Sequence, residues 1–157
     1  MRLYFFRHAI AQESDANTPD DQRTLTSEGV IRTRRAARVL KQLNIVPNAL
    51  YSSPLIRAHQ TADLLAETLE IAVQVRSEVG PGFDAAAAAS LISDLGEDAE
   101  VMFVGHEPDF SAAILALTGG RVDMKKGCLV AVEVISRQPL QGVLSLMIPP
   151  KLFNRLG

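Results

Sequence analysis

Arginine and histidine residues follow the ends of three short apolar segments that we predict to be β-strands. They are Arg7 and His8 after residues 3–6, Arg57 after residues 49–51, and His106 after residues 101–104. Parallel strands of an open α/β sheet bring their carboxyl ends to one edge, where ligands bind. We therefore expect these four side chains to converge on one site.

The four side chains suit a compact anion that carries several charges. Guanidinium groups pair with phosphoryl oxygens in a bidentate way, and helix starts predicted after two of the strands add the positive ends of helix dipoles. A histidine among such groups can act as a nucleophile or as a general base. Phosphate is the obvious ligand, and because the protein supplies the positive charge, we expect no metal and no cofactor.

Each of these residues has a simpler explanation when it is taken alone. A single histidine at a strand end is more often a polar surface residue, and a single arginine near a helix start is more often a solvated charge. Their recurrence at equivalent points of the strand–helix repeat favours a common site. His59 lacks this support, because residues two apart on a helix point to different faces, and we interpret it as structural.

The elements that must position these residues alternate along the chain. Strands are predicted at residues 3–6, 49–51, 71–75, 101–104, 129–135 and 143–148, with amphipathic helices between the earlier ones. The last two strands are close enough in sequence to form a hairpin. This order predicts a three-layer α/β/α sandwich with a mostly parallel sheet of about six strands and one antiparallel strand. The length favours a single domain over residues 1–157.

Polar residues and prolines mark the predicted helix boundaries. Thr26 is a plausible N-cap for the first helix, and Ser53 followed by Pro54 has the N-cap and N1 pattern of the second. Pro149 and Pro150 are predicted to end regular structure. Arg57 then falls in the first turn of the second helix, where its guanidinium and the helix N-terminus can point at one anion.

Composition narrows the partners and the compartment. A formal net charge of −2 provides no electrostatic reason to expect nucleic acid or an acidic membrane. The single cysteine, Cys128, cannot form an internal disulfide and suggests a small buried residue in a reducing compartment. The N-terminal apolar run is too short for a signal-peptide core or a membrane span. We predict a cytoplasmic protein without a membrane or nucleic-acid partner.

Three blocks of the chain resemble the signatures of the histidine phosphatase superfamily, the phosphoglycerate mutase-like proteins. They are residues 7–9 (RHA), residues 52–62 (SSPLIRAHQTA) and residues 104–108 (VGHEP). The short chain and the Arg-His-Ala variant resemble the SixA-type phosphohistidine phosphatases in particular. The superfamily usually has glycine where this chain has Ala9, which is small enough to leave the backbone accessible but would resist a positive φ.

The resemblance implies a two-step phosphoryl transfer. His8 would attack phosphorus and become a phosphohistidine, and water would then release phosphate. Arg7, Arg57 and His106 would hold the phosphoryl oxygens and offset the charge of the transition state. Arg23, in the loop before the first helix, is where SixA-like sequences often have an arginine, and we expect a weaker phosphate contact there.

A proton donor is not evident from the sequence. Larger members of the superfamily use an acidic residue after the third strand, and the acidic residues nearest that region are Glu78 and Asp84, while Glu107 adjoins His106. A surface turn or a helix start explains each of them equally well. We hypothesise that no strong acid is needed, because a phosphohistidine protonated on its ring leaves as neutral imidazole, unlike the alkoxide of an ester.

The sequence therefore predicts a metal-independent phosphatase that acts on phosphohistidine in a protein. A phosphorylated protein domain would be its partner and substrate, and inorganic phosphate its product. One alternative is a small-molecule phosphomonoesterase of the same superfamily, against which the absence of room for a large cap counts. The other is a module that binds phosphorylated partners without turnover, although such a module has no need of His8 as a nucleophile.

Overall fold

Six strands form the centre of the protein, which is described here by a computed structural model covering residues 1–157. In chain order they are β1 (Arg2–Arg7), β2 (Ala49–Ser52), β3 (Val73–Val75), β4 (Glu100–Gly105), β5 (Leu129–Arg137) and β6 (Leu140–Ile148). All six belong to one sheet, in the order β3-β2-β4-β1-β5-β6. Only β5 runs against the other strands. The predicted strand count and the single antiparallel strand are confirmed.

Five α-helices connect and flank the strands. They are α1 (Ser27–Gln42), α2 (Ile56–Leu69), α3 (Ala85–Leu91), α4 (Asp109–Thr118) and α5 (Pro150–Leu156). None of them combines the length and the apolar character needed to cross a membrane.

Two apolar cores lie on opposite faces of the sheet. One contains Phe5 and Phe103 together with buried residues of α3 and α4. The other contains Tyr4 and Phe6 together with buried residues of α1, α2 and α5. Successive side chains of a strand point to opposite faces, and both sets of β1 side chains are buried. The result is the predicted α/β/α sandwich, and its central strands are continuous apolar runs for this reason.

The strand register aligns the ends that carry the candidate residues. Arg7 at the end of β1 lies beside Gly105 at the end of β4, and Ser52 at the end of β2 lies beside Val104. All three strands are parallel, so the residues that follow them emerge at one edge of the sheet. Gly105 allows a close approach here, because a Cβ at this position would lie 2.7 Å from the Phe110 ring.

Of the two predicted N-caps, one is confirmed and one is wrong. The Thr26 hydroxyl accepts a hydrogen bond from the Gly29 amide at 3.0 Å and caps α1 as expected. Helix α2, however, begins at Ile56, with Leu55 extended at the N-cap and no side-chain cap. Ser53 does not cap α2, because Leu55 keeps the chain extended beyond Pro54 and the helix begins too late for the serine to reach its first amides.

The prediction that Pro149 and Pro150 end regular structure is also wrong. Pro150 is the first residue of α5, where proline loses no hydrogen bond because the first amides of a helix have no intrahelical acceptor. Phe153 of this helix is buried and packs against Phe6, with ring centroids 6.3 Å apart. Burial of Phe153 against the sheet stabilises a helix that the local proline pattern did not indicate.

Candidate active site

The structure brings the two candidate histidines together at the carboxyl ends of β1 and β4. The His8 amide donates to the Gly105 carbonyl at 2.9 Å, which continues the β1–β4 ladder by one bond. The rings of His8 and His106 then lie with their centroids 5.3 Å apart. Both side chains are buried. A single reacting group can therefore contact both rings.

A backbone carbonyl determines which nitrogen of His8 is free to react. The Nδ1 atom lies 2.8 Å from the Ala9 carbonyl oxygen. Because a carbonyl only accepts hydrogen bonds, Nδ1 must carry the proton, and Nε2 keeps its lone pair. Burial, with smaller effects from His106 and Arg57, lowers the pKa of His8 to about 3. The imidazole is therefore neutral near pH 7, as a nucleophile must be.

Ser53 orients the second histidine. Its Oγ lies 2.7 Å from Nε2 of His106 and accepts a hydrogen bond from the Leu55 amide at 3.2 Å. Burial, followed by the charge of Arg57, lowers the pKa of His106 to about 4. The other ring nitrogen, Nδ1, is buried without a partner in the protein. The residue that was predicted to cap a helix instead holds a site histidine.

Both arginines retain buried donors that no protein atom accepts. Arg7 donates through Nη1 to the Met124 carbonyl at 2.8 Å, and Arg57 donates through both Nη atoms to Asp20. The Nε atom of each arginine is buried and has no partner. Buried donors are nearly always paired, and an unpaired one costs roughly 1–3 kcal/mol. These two N–H groups are suited to the oxygens of an anion.

Thr61 joins the loop after β1 to helix α2. Its hydroxyl donates to the Arg57 carbonyl at 2.7 Å and accepts from the Ala9 amide at 3.1 Å. Ala9 is not among the residues with positive φ, which apart from glycines are Asn44 and Glu70. Alanine is therefore tolerated where the superfamily usually has glycine, and its amide helps to position His8 relative to Arg57.

Arg23 reaches the site through a carboxylate that sequence reasoning missed. Its Nη1 lies 3.0 Å from one oxygen of Asp20, and Nη2 of Arg57 lies 3.1 Å from the other. Asp20 therefore bridges two of the predicted phosphate contacts. The only signal in the sequence was the acidic pair that precedes Arg23, and nothing there distinguishes Asp20 from Asp21.

The three candidate proton donors all have structural partners. Asp84 caps α3 by accepting from the Ala87 amide at 2.8 Å, and Glu78 is exposed and accepts from the Ser77 hydroxyl. Glu107 accepts from the Ser111 amide at 2.9 Å in the first turn of α4. Burial lowers the pKa of Arg7, and the charge of Glu107 opposes this effect. Of the three acids, Glu107 is therefore the one placed near a candidate site residue.

Three other side chains that could react make no side-chain hydrogen bond to the candidate site residues. Cys128 is fully buried, and burial raises the pKa of its thiol to about 11, so it stays a protonated core residue. His59 is half-buried on α2, and its Nε2 atom lies 3.5 Å from Asp63. Lys125 is exposed and pairs with Asp123 at 2.8 Å. No three histidine, cysteine, aspartate or glutamate side chains are grouped so that they could hold a metal ion.

The neutral histidines predict a specific loss of stability in acid. The pKa of His8 is about 3 in the folded protein and about 6.5 in the unfolded chain. Below pH 6.5 the unfolded chain binds the additional proton, so the free energy of unfolding falls as the pH decreases towards the folded pKa. Between pH 7 and pH 5 this contribution amounts to about 2 kcal/mol for one such histidine.

Urea unfolding at pH 7 and pH 5 measures this contribution. Wild type should lose about 2 kcal/mol more between the two pH values than His8→Asn does. Equal losses for wild type and His8→Asn would show that His8 is not held neutral by the fold.

Comparison with known proteins identifies a family and a relative that match this chain. The model of the histidine phosphatase superfamily (branch 1) matches residues 3–80, which include His8, Arg23 and Arg57. An uncharacterized protein from Picosynechococcus sp. is 34% identical over 140 residues, which cover 85% of each chain. The chain belongs to the histidine phosphatase superfamily. The family predicted from the sequence is thereby confirmed.

Solved structures of histidine phosphatases have the same fold. The protein histidine phosphatase SixA, in complex with tungstate, superposes with a TM-score of 0.85 at 22% identity and covers 96% of this chain and 98% of its own. A mycobacterial glucosyl-3-phosphoglycerate phosphatase superposes with a TM-score of 0.73 at 20% identity, covering 92% and 97%. The predicted SixA-like fold is confirmed, and the two structures represent phosphatases with different substrates.

Proposed function

We propose that this histidine phosphatase removes the phosphoryl group from phosphohistidine on a protein, with His8 as the nucleophile. The observation that carries the proposal is the packing of the segment between β3 and β4. This segment places four side chains in the core beneath the sheet, namely Val79, Phe83, Ala88 and Ile92. Core packing of these side chains holds the segment against the sheet, which supports a site without a large cap and a substrate carried by another protein.

In the first step, Nε2 of His8 would attack phosphorus while the P–N bond to the substrate histidine breaks. The Ala9 carbonyl holds the Nδ1 proton of His8, so the lone pair points away from that contact. A substrate phosphohistidine that carries a proton on its other nitrogen leaves as neutral imidazole. His8 then holds the phosphoryl group in the same protonation state, and the exchange needs no separate acid.

In the second step, a water molecule would attack phosphorus, the P–N bond to His8 would break, and inorganic phosphate would leave. The electron pair of that bond returns to Nε2 and restores neutral imidazole. Arg7, Arg57 and His106 would hold the three equatorial oxygens, where charge is spread in the transition state. Donors already fixed in position need no reorganisation as the reaction proceeds.

A small-molecule phosphomonoesterase is the second candidate function, because one of the structural neighbours is a glucosyl-3-phosphoglycerate phosphatase. Hydrolysis of an alkyl phosphate releases an alkoxide, which requires a proton donor. Asp84, Glu78 and Glu107 all accept hydrogen bonds from neighbouring residues, so none of them is a free donor for this step. A phosphohistidine substrate avoids this requirement, and for that reason we favour it.

Phosphate release from three substrates tests the assignment. They are a protein domain phosphorylated on histidine, the free amino acid phosphohistidine, and an alkyl phosphate ester such as glycerol 3-phosphate. We expect kcat/KM for the protein to exceed that for the ester by about 100-fold or more, the contribution of a well-placed general acid that the ester would need. The free amino acid distinguishes a preference for the P–N bond from recognition of the protein.

Two results would contradict the proposal in different ways. Faster turnover of the ester than of the phosphorylated domain would assign the protein to the small-molecule branch. Tight binding of inorganic phosphate without turnover of any substrate would favour a binding module. Tungstate, which is bound by the structurally similar SixA, should inhibit turnover competitively with the phosphorylated substrate if the site works as proposed. The predicted cytoplasmic location stays a prediction.

A further inference from the structure

Hydrogen bonds from a single residue connect the tip of the loop between β1 and α1 to the rest of the protein. The base of the loop is closed by the bridge between Ala11 and Leu25 and by the Gln12 amide, which donates to the Thr24 carbonyl at 2.8 Å. Among residues 13–22, only Asp20 makes hydrogen bonds outside the loop, and both go to Arg57. The position of the tip relative to the site therefore depends on this contact.

Asp20 uses one end of the Arg57 guanidinium and leaves the other free. Nη1 of Arg57 donates to the Asp20 carbonyl oxygen at 2.7 Å, and Nη2 donates to the Oδ2 atom at 3.1 Å. A guanidinium has five N–H bonds, so three are left, among them the buried Nε–H that has no partner. An oxyanion can bind this free side while Asp20 stays in place. Asp20 and the substrate therefore need not compete.

The same carboxylate connects the two arginines. Its Oδ1 atom accepts from Arg23 at 3.0 Å while Oδ2 accepts from Arg57. The hydrogen bond from Arg23, followed by the charge of Arg57, lowers the pKa of Asp20, which keeps it ionised and a poor proton donor near neutral pH. The Arg57 side chain is nearly buried, whereas the Asp20 side chain is mostly exposed. Solvent on the loop side therefore hydrates the Asp20 carboxylate, and the carboxylate orients the buried Arg57 guanidinium.

We propose that Asp20 is a positioning residue that orients Arg57 towards the phosphoryl group and brings Arg23 to the same site. This inference rests on the proposed function, because it assigns Asp20 a role in binding the group that His8 attacks. Asp20 itself touches neither the phosphoryl group nor the nucleophile. Its effect should therefore depend on Arg57 being present.

A double-mutant cycle over Asp20→Ala and Arg57→Ala isolates this dependence. Two quantities are measured for wild type, both single variants and the double variant: the affinity for inorganic phosphate and the single-turnover rate of His8 phosphorylation. Asp20→Ala should slow the rate by roughly 10- to 100-fold, as expected when a binding group is misplaced. In the Arg57→Ala background the same change should have about a twofold effect or less.

Phosphate affinity provides a test that does not require turnover. Asp20→Ala has two opposing effects on phosphate affinity. Loss of the negative charge strengthens phosphate binding, whereas loss of the contact that orients Arg57 weakens it, so the affinity of this single variant is not informative by itself. The informative quantity is the loss of phosphate affinity caused by Arg57→Ala. This loss should be smaller in the Asp20→Ala background than in wild type, because an Arg57 that is no longer oriented contributes less to binding. If phosphate binds but no substrate is turned over, the proposed function fails while this test still applies.

Two further variants separate positioning from general effects on the fold. Asp21→Ala removes the adjacent acid, which makes no ion pair, and should leave both quantities unchanged. Asp20→Asn keeps one acceptor oxygen and should recover part of the lost rate. A larger Arg57→Ala loss in the absence of Asp20, or a faster Asp20→Ala variant, would overturn the proposal and show that Asp20 instead competes with phosphate. The proposal would also be overturned if Arg57→Ala reduced phosphate affinity equally with and without Asp20.

Discussion

Replacement of His8 by asparagine is expected to abolish formation of the phosphoenzyme and to slow phosphate release by on the order of 10⁴-fold or more, as for other lost nucleophiles. The asparagine amide can still donate to the Ala9 carbonyl, as Nδ1 of His8 does at 2.8 Å. The local backbone should therefore keep its conformation. What is lost is the Nε2 lone pair that would form the covalent P–N bond.

Radiolabelled substrate measures this effect directly. Wild type mixed rapidly with a protein phosphorylated on histidine should acquire a label that is stable in alkali and labile in acid, as a phosphoramidate is. His8→Asn should acquire none, although it should still bind inorganic phosphate through Arg7 and Arg57. His59→Asn serves as the matched control, since that half-buried side chain contacts Asp63 on α2 and none of the candidate site residues, and it should label like wild type. Labelling of His8→Asn would place the nucleophile elsewhere.

The second large effect is expected for Arg57→Lys, which should reduce kcat by roughly 10²- to 10³-fold, the loss seen when one fixed oxyanion donor is removed. Lysine keeps the positive charge but presents it as a single point. Arg57 donates to Asp20 at 2.7 Å and 3.1 Å while its Nε–H stays free. A lysine ammonium cannot keep both contacts and also bind a phosphoryl oxygen in the same position.

Comparison of Arg57→Lys with Arg57→Ala separates geometry from charge. If the fork matters most, both variants should lose similar amounts of kcat, and only Arg57→Ala should lose additional phosphate affinity. Arg38→Lys is a suitable control, because Arg38 is exposed on α1 and has no side-chain hydrogen bond or ion pair. Near-wild-type turnover by Arg57→Lys would indicate that a point charge is sufficient and that the orientation by Asp20 is unimportant.

The arrangement that keeps His8 neutral also makes the fold sensitive to acid. Burial lowers the pKa of His8 and of His106, and the nearby arginines lower both further. The proposed reaction needs neutral imidazole at His8, so we expect catalysis to persist well below pH 6.5. The unfolded chain, in contrast, gains protons below that value. We therefore expect acid to limit this enzyme through the stability of the fold before it limits the nucleophile.

The sequence by itself determined the fold class, the family and the place of the four central side chains. Each of these depends on local information. Apolar runs such as residues 3–6 are long enough only for strands buried on both faces. The residues that follow them must emerge at one edge when the strands are parallel, as the pairing of Arg7 with Gly105 shows. Thr26 was predictable for the same reason, since a cap bonds within its own first turn.

Tertiary structure alone decided the partners of the polar side chains around the site. Ser53 has the sequence pattern of a helix cap, yet it contacts His106, which is distant in the chain. Asp20 and Asp21 are indistinguishable in sequence, and only the path of the loop places Asp20 against Arg57. The neutral state of His8 likewise follows from burial by several elements. Hydrogen-bond partners and desolvation depend on which segments cross in space, and that information is not contained in neighbouring residues.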